Sequence, residues 1–171
     1  VGALLYCATN TRPDVAYSVG LLCRAMSRPT TLTLAAAHRV LCYLHQTREL
    51  GLRYESSPRP LYGMTDSDWA VKHSTTGFVF KYMRAAISWA SRKQSSVALS
   101  SCEAEIMAAS EGAKEAVYFD SFLEELGHSD GKPVKMSVDN TGARDLAYNP
   151  EHHAKSKHIL RRHFFVREMV E

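Results

Sequence analysis

Carboxylates set into strand-like sequence are the feature most able to do chemistry here. The run Leu61-Tyr62-Gly63-Met64-Thr65-Asp66-Ser67-Asp68-Trp69-Ala70 enters on apolar and aromatic residues and then carries two acids. Asp is depleted in strands because it packs poorly and competes for backbone hydrogen bonds. Two of them at i and i+2 project from one face, where like charges repel. Two explanations are open: a solvated strand end with turn-forming Asp residues, or a cation among clustered oxygens, the ligands that hard divalent metals take. Glu103, Glu105 and Asp139 are the further acids that bear on the choice.

The elements around these acids can be read from periodicity and punctuation. Ser56-Ser57-Pro58-Arg59-Pro60 is the clearest linker and divides residues 1–55 from residues 61–171. Before it, Thr11-Arg12-Pro13-Asp14 reads as a helix start, with Thr11 as N-cap and Val15, Val19, Leu22 and Met26 at helical spacing. Thr33 is expected to cap a second helix in which Leu34, Ala37, Leu41 and Leu44 share a face, and Leu52–Tyr54 a short strand. After the linker, Leu61–Trp69, Gly77–Met83 and Ala86–Ala90 are strand-like runs with short loops, which predicts an antiparallel meander. Ser100 with Glu103 forms a capping box that opens a long helix. Ile106, Ala109, Ala113, Val117 and Leu123 mark its buried stripe, Glu111, Glu115, Glu124 and Glu125 lie mostly outside it, and Gly127 closes it. Lys132–Asp139 is a fourth strand, Thr141–Tyr148 a short helix, and Ser156–Val170 a basic helix.

This order alone brings three acids together. If the first strand points up, the meander leaves the third also pointing up. The long helix then starts at the upper edge, runs down and delivers the fourth strand pointing up. Strand–helix–strand crossovers of this kind are right-handed and leave the fourth strand parallel to the first. With the fourth strand beside the first, Asp66, the first turns of the helix and Asp139 share the edge where the strand carboxyl ends lie, the usual place for ligands in α/β sheets. Glu103 is occupied as the partner of Ser100, which makes Glu105 the better ligand and Asp68 a spare. Converging carboxylates repel one another unless cations neutralise them.

Composition limits the alternatives. The net charge of +3 is small, but its distribution is uneven: Lys and Arg outnumber acids seven to three in residues 1–60 and five to three in residues 151–171, against nine to twelve between. An acidic centre flanked by basic segments suits a metal site acting on a polyanion. Cys7, Cys23, Cys42 and Cys102 form no Cys-x-x-Cys pair, which argues against zinc or a disulfide framework and for a reducing compartment, each Cys packing as a small hydrophobe. His153, His158 and His163 lie five apart and do not share a helix face, so they too make no zinc site. No apolar run can span a bilayer and no signal-peptide pattern is present, so neither a membrane partner nor secretion is expected. The opening at Val1 without Met suggests a piece of something larger.

The motifs also resemble a known family. Thr65-Asp66-Ser67-Asp68-Trp69-Ala70, Ser74-Thr75-Thr76-Gly77-Phe78-Val79-Phe80 and Ile87-Ser88-Trp89 are similar to the ribonuclease H domain of copia-type retrotransposon polyproteins. So are Lys93-Gln94, Val97-Ala98-Leu99-Ser100-Ser101-Cys102-Glu103-Ala104-Glu105, Val138-Asp139-Asn140 and the tail from Asn149-Pro150 through Lys157-His158-Ile159 to His163-Phe164-Phe165-Val166-Arg167-Glu168. Gly2-Ala3-Leu4-Leu5-Tyr6, Thr11-Arg12-Pro13-Asp14-Val15-Ala16-Tyr17 and Arg39-Val40-Leu41 resemble the end of the reverse transcriptase that precedes that domain.

The resemblance implies an α/β, ribonuclease H-like mixed sheet, a three-stranded antiparallel meander plus a parallel fourth strand, with an N-terminal helical extension. It implies cleavage of the RNA strand of an RNA–DNA hybrid, inside the cell in a cytoplasmic virus-like particle or the nucleus. The partners would be the hybrid and the reverse transcriptase portion of the same polyprotein. The family's catalytic, metal-binding carboxylates fall on Asp66, Glu105 and Asp139. They would hold two Mg²⁺ (Mn²⁺ as the substitute) roughly 3.5–4 Å apart, with Asp66 between the ions. Lys155, Lys157, Arg161, Arg162 and Arg167 would contact phosphate, with Asn140 as a further nucleic-acid contact. Lys93 and Gln94 are open between substrate contact and a strand-end surface role.

Two departures stand out. Leu160 replaces an acid that many members carry, at a place expected to lie outside the metal site. Asp145, Glu151, Glu168 and Glu171 do not match the segment that supplies a fourth active-site Asp. A fifth strand and that ligand are therefore expected to be missing, the domain C-terminally truncated, and activity weak or absent. A non-catalytic remnant that only binds nucleic acid or plays a structural role is the alternative, and an unrelated metal-dependent phosphatase or exonuclease on the same fold is a third.

Overall fold

A computed structural model describes residues 1–56, 61–70, 72–129, 131–142, 165, 166, 168 and 169. Helices α1 (Gly2–Asn10), α2 (Ala16–Arg24) and α3 (Thr31–Gln46) come first, with a 3₁₀ turn at Pro13–Val15 leading into α2. Strands β1 (Tyr62–Asp68), β2 (Thr75–Tyr82) and β3 (Ala85–Lys93) follow, then α4 (Ser101–Glu125) and β4 (Lys135–Val138). The sheet order is β3-β2-β1-β4. β1–β2 and β2–β3 pair antiparallel and β1–β4 parallel, the ribonuclease H-like mixed sheet expected from the order of motifs. Among the described residues the sheet has four strands.

Successive residues of β3 point to opposite faces of the sheet, and they show how it is covered. The Ser88 hydroxyl donates to Glu115 of α4, whereas the Trp89 indole N–H donates to the Ala8 carbonyl of α1 at 2.6 Å. α4 therefore closes one face, with its Leu123 packed in a cluster with Leu61, Phe78, Phe80, Val134 and Met136. The N-terminal helices lie on the other, around their own core of Leu4, Ala8, Val15, Val19, Leu22 and Val40. Arg24 of α2 donates to the Thr75 hydroxyl at 3.1 Å, tying that layer to the start of β2.

Local chemistry explains where elements start and stop. Ser100 caps α4 by accepting the Glu103 N–H at 3.1 Å, and the Glu103 carboxylate accepts the Leu99 N–H at 2.6 Å. At the other end Gly127, with φ of +69°, and His128 donate back to the Glu124 and Leu123 carbonyls, a Schellman ending. Met83 and Arg84 both have positive φ, as a two-residue hairpin between twisted strands requires.

Several expectations need correction. Thr11 ends α1 rather than capping α2, and Asp14 is held by Arg12. Thr30, not Thr33, caps α3; Thr33 is its capping-box partner. The inward face of α3 runs through Ala37, Val40 and Leu44, leaving Leu34 and Leu41 exposed, because contact with the small α1–α2 pair requires only a narrow stripe. Leu52–Tyr54 is not a strand, although the neighbouring Glu55 N–H donates to Met83 and the Tyr54 hydroxyl to Ala86. In α4 Val117 is exposed and Glu115 turns toward the sheet. None of the four cysteines is fully buried. Thr141 and Gly142 are helical, whereas the rest of the predicted 141–148 helix lies outside the described residues.

Arg12 shows how the helical layer is held. Only 8 % exposed, it donates to both Asp14 oxygens, at 2.9 and 2.7 Å, and to the carbonyl and hydroxyl of Thr47 after α3. The Tyr43 hydroxyl also donates to Asp14, at 2.9 Å. These bonds, those from Arg12 first, hold the Asp14 carboxyl below its usual range. An acid depressed on folding contributes its stability above the ordinary carboxylate range and loses it as pH falls through the depressed value. Asp14→Asn is expected to cost about 1–3 kcal/mol at pH 7, because it leaves a nearly buried guanidinium under-paired. Urea melts at neutral pH and near pH 3 check this: the gap between the two proteins should narrow in acid.

Candidate metal centre

β1 and β4 lie side by side and parallel, with Thr65 opposite Val138, so Asp66 and Asp139 follow each other at adjacent strand ends. α4 brings Glu105 to the same place from its second turn. One carboxylate oxygen from each of the three lies within 4.8 Å of the others, and among the described residues this is the only such group of potential metal ligands. Asp66 and Asp139 are exposed and Glu105 is 5 % exposed, so the group opens outward from a buried floor.

Ser67 organises the floor. Its N–H donates to Asp66 Oδ1 at 2.8 Å and to Glu105 Oε1 at 3.1 Å, and its hydroxyl donates to the same Glu105 Oε1 at 2.8 Å. Glu105 Oε2 is buried with no hydrogen-bond partner among the described residues. Burial raises the Glu105 carboxyl above its usual range, the Ser67 bonds oppose that rise, and the charges of Asp66 and Asp139 add to it. A buried carboxylate that keeps one oxygen unpartnered and has two more acids close by is costly unless a cation sits among them. The donor set is all oxygen, the kind that suits Mg²⁺, Mn²⁺ or Ca²⁺ rather than zinc or copper. The residues fit a hard divalent ion.

Two glycines make room for close contacts, one between α4 and the sheet and one between neighbouring strands. A Cβ on Gly112 of α4 would sit 2.4 Å from Thr65 Cγ2 and 3.0 Å from Met136 Sδ. One on Gly63 would sit 2.5 Å from the fully buried Phe80 ring. Neither contact announces itself in the sequence, where both glycines read as weak points in regular elements.

No family model matches the chain. It is 39 % identical, over its whole length, to the retrovirus-related Pol polyprotein from transposon TNT 1-94 of Nicotiana tabacum. It is 36 % identical, again over its whole length, to that from transposon RE1 of Arabidopsis thaliana. The chain belongs to the retrotransposon Pol polyprotein family. It spans 12–13 % of the length of these relatives. It is also 43 % identical, over 69 % of its length, to 87 % of a protein named Secreted RxLR effector protein 161 in Plasmopara viticola.

The other residues singled out in this Pol chain fall in different places. Asp68 is outside the acid group and accepts a bond from the Tyr17 hydroxyl of α2 at 3.3 Å. Gln94 is buried, and its amide donates to the Thr76 hydroxyl and the Ala104 carbonyl, both at 3.0 Å. It bolts the start of α4 to β2, so it is not a surface residue. Lys93 is exposed at the end of β3 and, with Gln94, borders a cavity of about 200 Å³ whose lining contains none of the three acids. Asn140 follows Asp139 and is half-buried. Trp69 is 50 % exposed, with its indole N–H donating to the Ala98 carbonyl. Lys155, Lys157, Arg161, Arg162 and Arg167 lie outside the described residues. Among the described residues no helix is long and apolar enough to cross a membrane.

Proposed function

We propose that this chain is the ribonuclease H portion of a transposon Pol polyprotein and hydrolyses the RNA strand of RNA–DNA hybrids. The observation that carries the reading is the meeting of Asp66, Glu105 and Asp139, with Glu105 buried and one of its oxygens unpartnered among the described residues. In the same reading residues 1–55 are the end of the preceding reverse transcriptase unit and residues 61–171 the nuclease unit. The other domains of the polyprotein are then its partners.

Asp66, Glu105 and Asp139 would hold Mg²⁺ or Mn²⁺. When bound, such ions activate a water for in-line attack and offset charge on the leaving oxygen. The chain's own contribution is placement. Adjacent strand ends fix Asp66 and Asp139, and Ser67 holds the Glu105 carboxylate by two hydrogen bonds while its N–H also reaches Asp66. The exposed rim formed by Asp66 and Asp139 leaves room for a phosphate to approach, while Glu105 stays shielded from water. Misplacement by about 1 Å is enough to cost on the order of 100-fold in rate.

The test is incubation of the purified chain with a labelled RNA–DNA hybrid in Mg²⁺ or Mn²⁺, with EDTA, duplex DNA and a phosphomonoester as controls. We expect at most weak RNA-strand cleavage, which stops with EDTA and is lost in Asp66→Asn. Hybrid that is bound but never cut would favour the purely nucleic-acid-binding role. Cleavage of duplex DNA or the monoester instead would point to a different phosphoesterase.

A further inference from the structure

Ser67 does not itself belong to the acid group, yet it donates three hydrogen bonds to it. A carboxylate oxygen has two lone pairs. On Glu105 Oε1 both are taken, one by the Ser67 N–H at 3.1 Å and one by the Ser67 hydroxyl at 2.8 Å. The carboxylate is thereby fixed in rotation, with only Oε2 left without a hydrogen bond among the described residues. The side chain is also 95 % buried, so it cannot swing out to offer both oxygens without breaking these bonds.

We infer that Ser67 is a positioning residue that makes Glu105 a one-oxygen ligand and so sets the centre's preference for Mg²⁺ over Ca²⁺. The physical basis is coordination. Mg²⁺ requires near-octahedral geometry at about 2.0–2.1 Å and takes single oxygens, whereas Ca²⁺ takes six to eight at about 2.3–2.6 Å and readily uses both oxygens of one carboxylate. A carboxylate with one oxygen pinned suits the first ion and denies the second a ligand. The inference rests on the proposed metal centre and adds to it the selection among ions.

The test titrates MgCl₂ and CaCl₂ separately, at constant ionic strength, into the metal-free chain, by calorimetry and by thermal shift. Ser67→Ala removes the hydroxyl donor and leaves the backbone donor, freeing the carboxylate to turn. Its Mg²⁺ affinity is expected to fall about tenfold, the usual effect of losing a partner that orients a ligand. Its Ca²⁺ affinity should stay level or rise, so the Mg²⁺/Ca²⁺ ratio drops at least about tenfold. Ser67→Thr keeps the hydroxyl and should retain the wild-type ratio. Unchanged affinities in Ser67→Ala, or equal losses for both ions, would overturn the inference while leaving the metal centre standing. Wild-type chain that binds neither ion would overturn the metal centre itself, and this inference with it.

Discussion

Replacing Glu105 with Gln is expected to make the metal-free protein more stable and to abolish its response to Mg²⁺. Both effects come from the same oxygen. In the absence of an ion, Glu105 keeps Oε2 buried without a donor beside two other carboxylates. Gln has nearly the same shape, its carbonyl can still accept the Ser67 bonds, and its NH₂ supplies the donor that the neighbouring acids lack. A gain of about 1–2 kcal/mol at pH 7 follows, the scale of satisfying a buried polar group. With Mg²⁺ at about 100 times the dissociation constant, the wild type should gain about 2.7 kcal/mol. In a chain of 171 residues that is a rise in Tm of about 5–10 °C. The variant should gain next to nothing. Thermal melts of both proteins in EDTA and in Mg²⁺ decide the matter: equal metal-induced shifts, or a variant less stable than wild type in EDTA, would contradict the reading of the site.

Gly112→Ala is the second large effect, and its sign opposes ordinary helix propensity. In the middle of a helix, Ala is normally better than Gly by about 1 kcal/mol. Here the added methyl would lie 2.4 Å from Thr65 Cγ2, on the strand that carries Asp66. α4 must then lift from β1, and we expect a loss of about 1–3 kcal/mol, the usual cost of overpacking. Gly112 lies two turns beyond Glu105 on the same helix, so the lift should also weaken Mg²⁺ binding. Thr65→Ser in the Gly112→Ala background removes the offending methyl and should recover most of both losses. A double-mutant cycle in urea measures the coupling; an additive cycle would show that the two groups do not meet.

The strand order and the meeting of the acids were readable because they rest on strong local signals. Short loops after Asp68 and Tyr82 permit little except a meander, and Ser100 with Glu103 fixes where α4 begins. From there the crossover leaves β4 parallel to β1 and Asp139 beside Asp66. What escaped depends on tertiary contact. The inward stripe of α3, with Ala37, Val40 and Leu44, follows from which of its faces meets the other N-terminal helices. Gln94 is buried by its bonds to Thr76 and Ala104, and Trp69 is held at the surface by its bond to Ala98. α1 carried no caps to announce it, and no side chain caps its N-terminus in the fold. Ser67 passed as a spacer between two acids, because nothing in a sequence shows that one backbone N–H serves two carboxylates.

The β1–β4 pair has a consequence for how the molecule assembles. Hairpin β1–β2–β3 can form from neighbours in the sequence, whereas β4 must wait until α4 has been laid across the sheet. Pairings between distant segments are the slow part of folding, because the intervening chain must be ordered before they give anything back. Mutual repulsion of the acids is therefore deferred to the final closing step, and the nascent chain completes most of its architecture before it has to accommodate them.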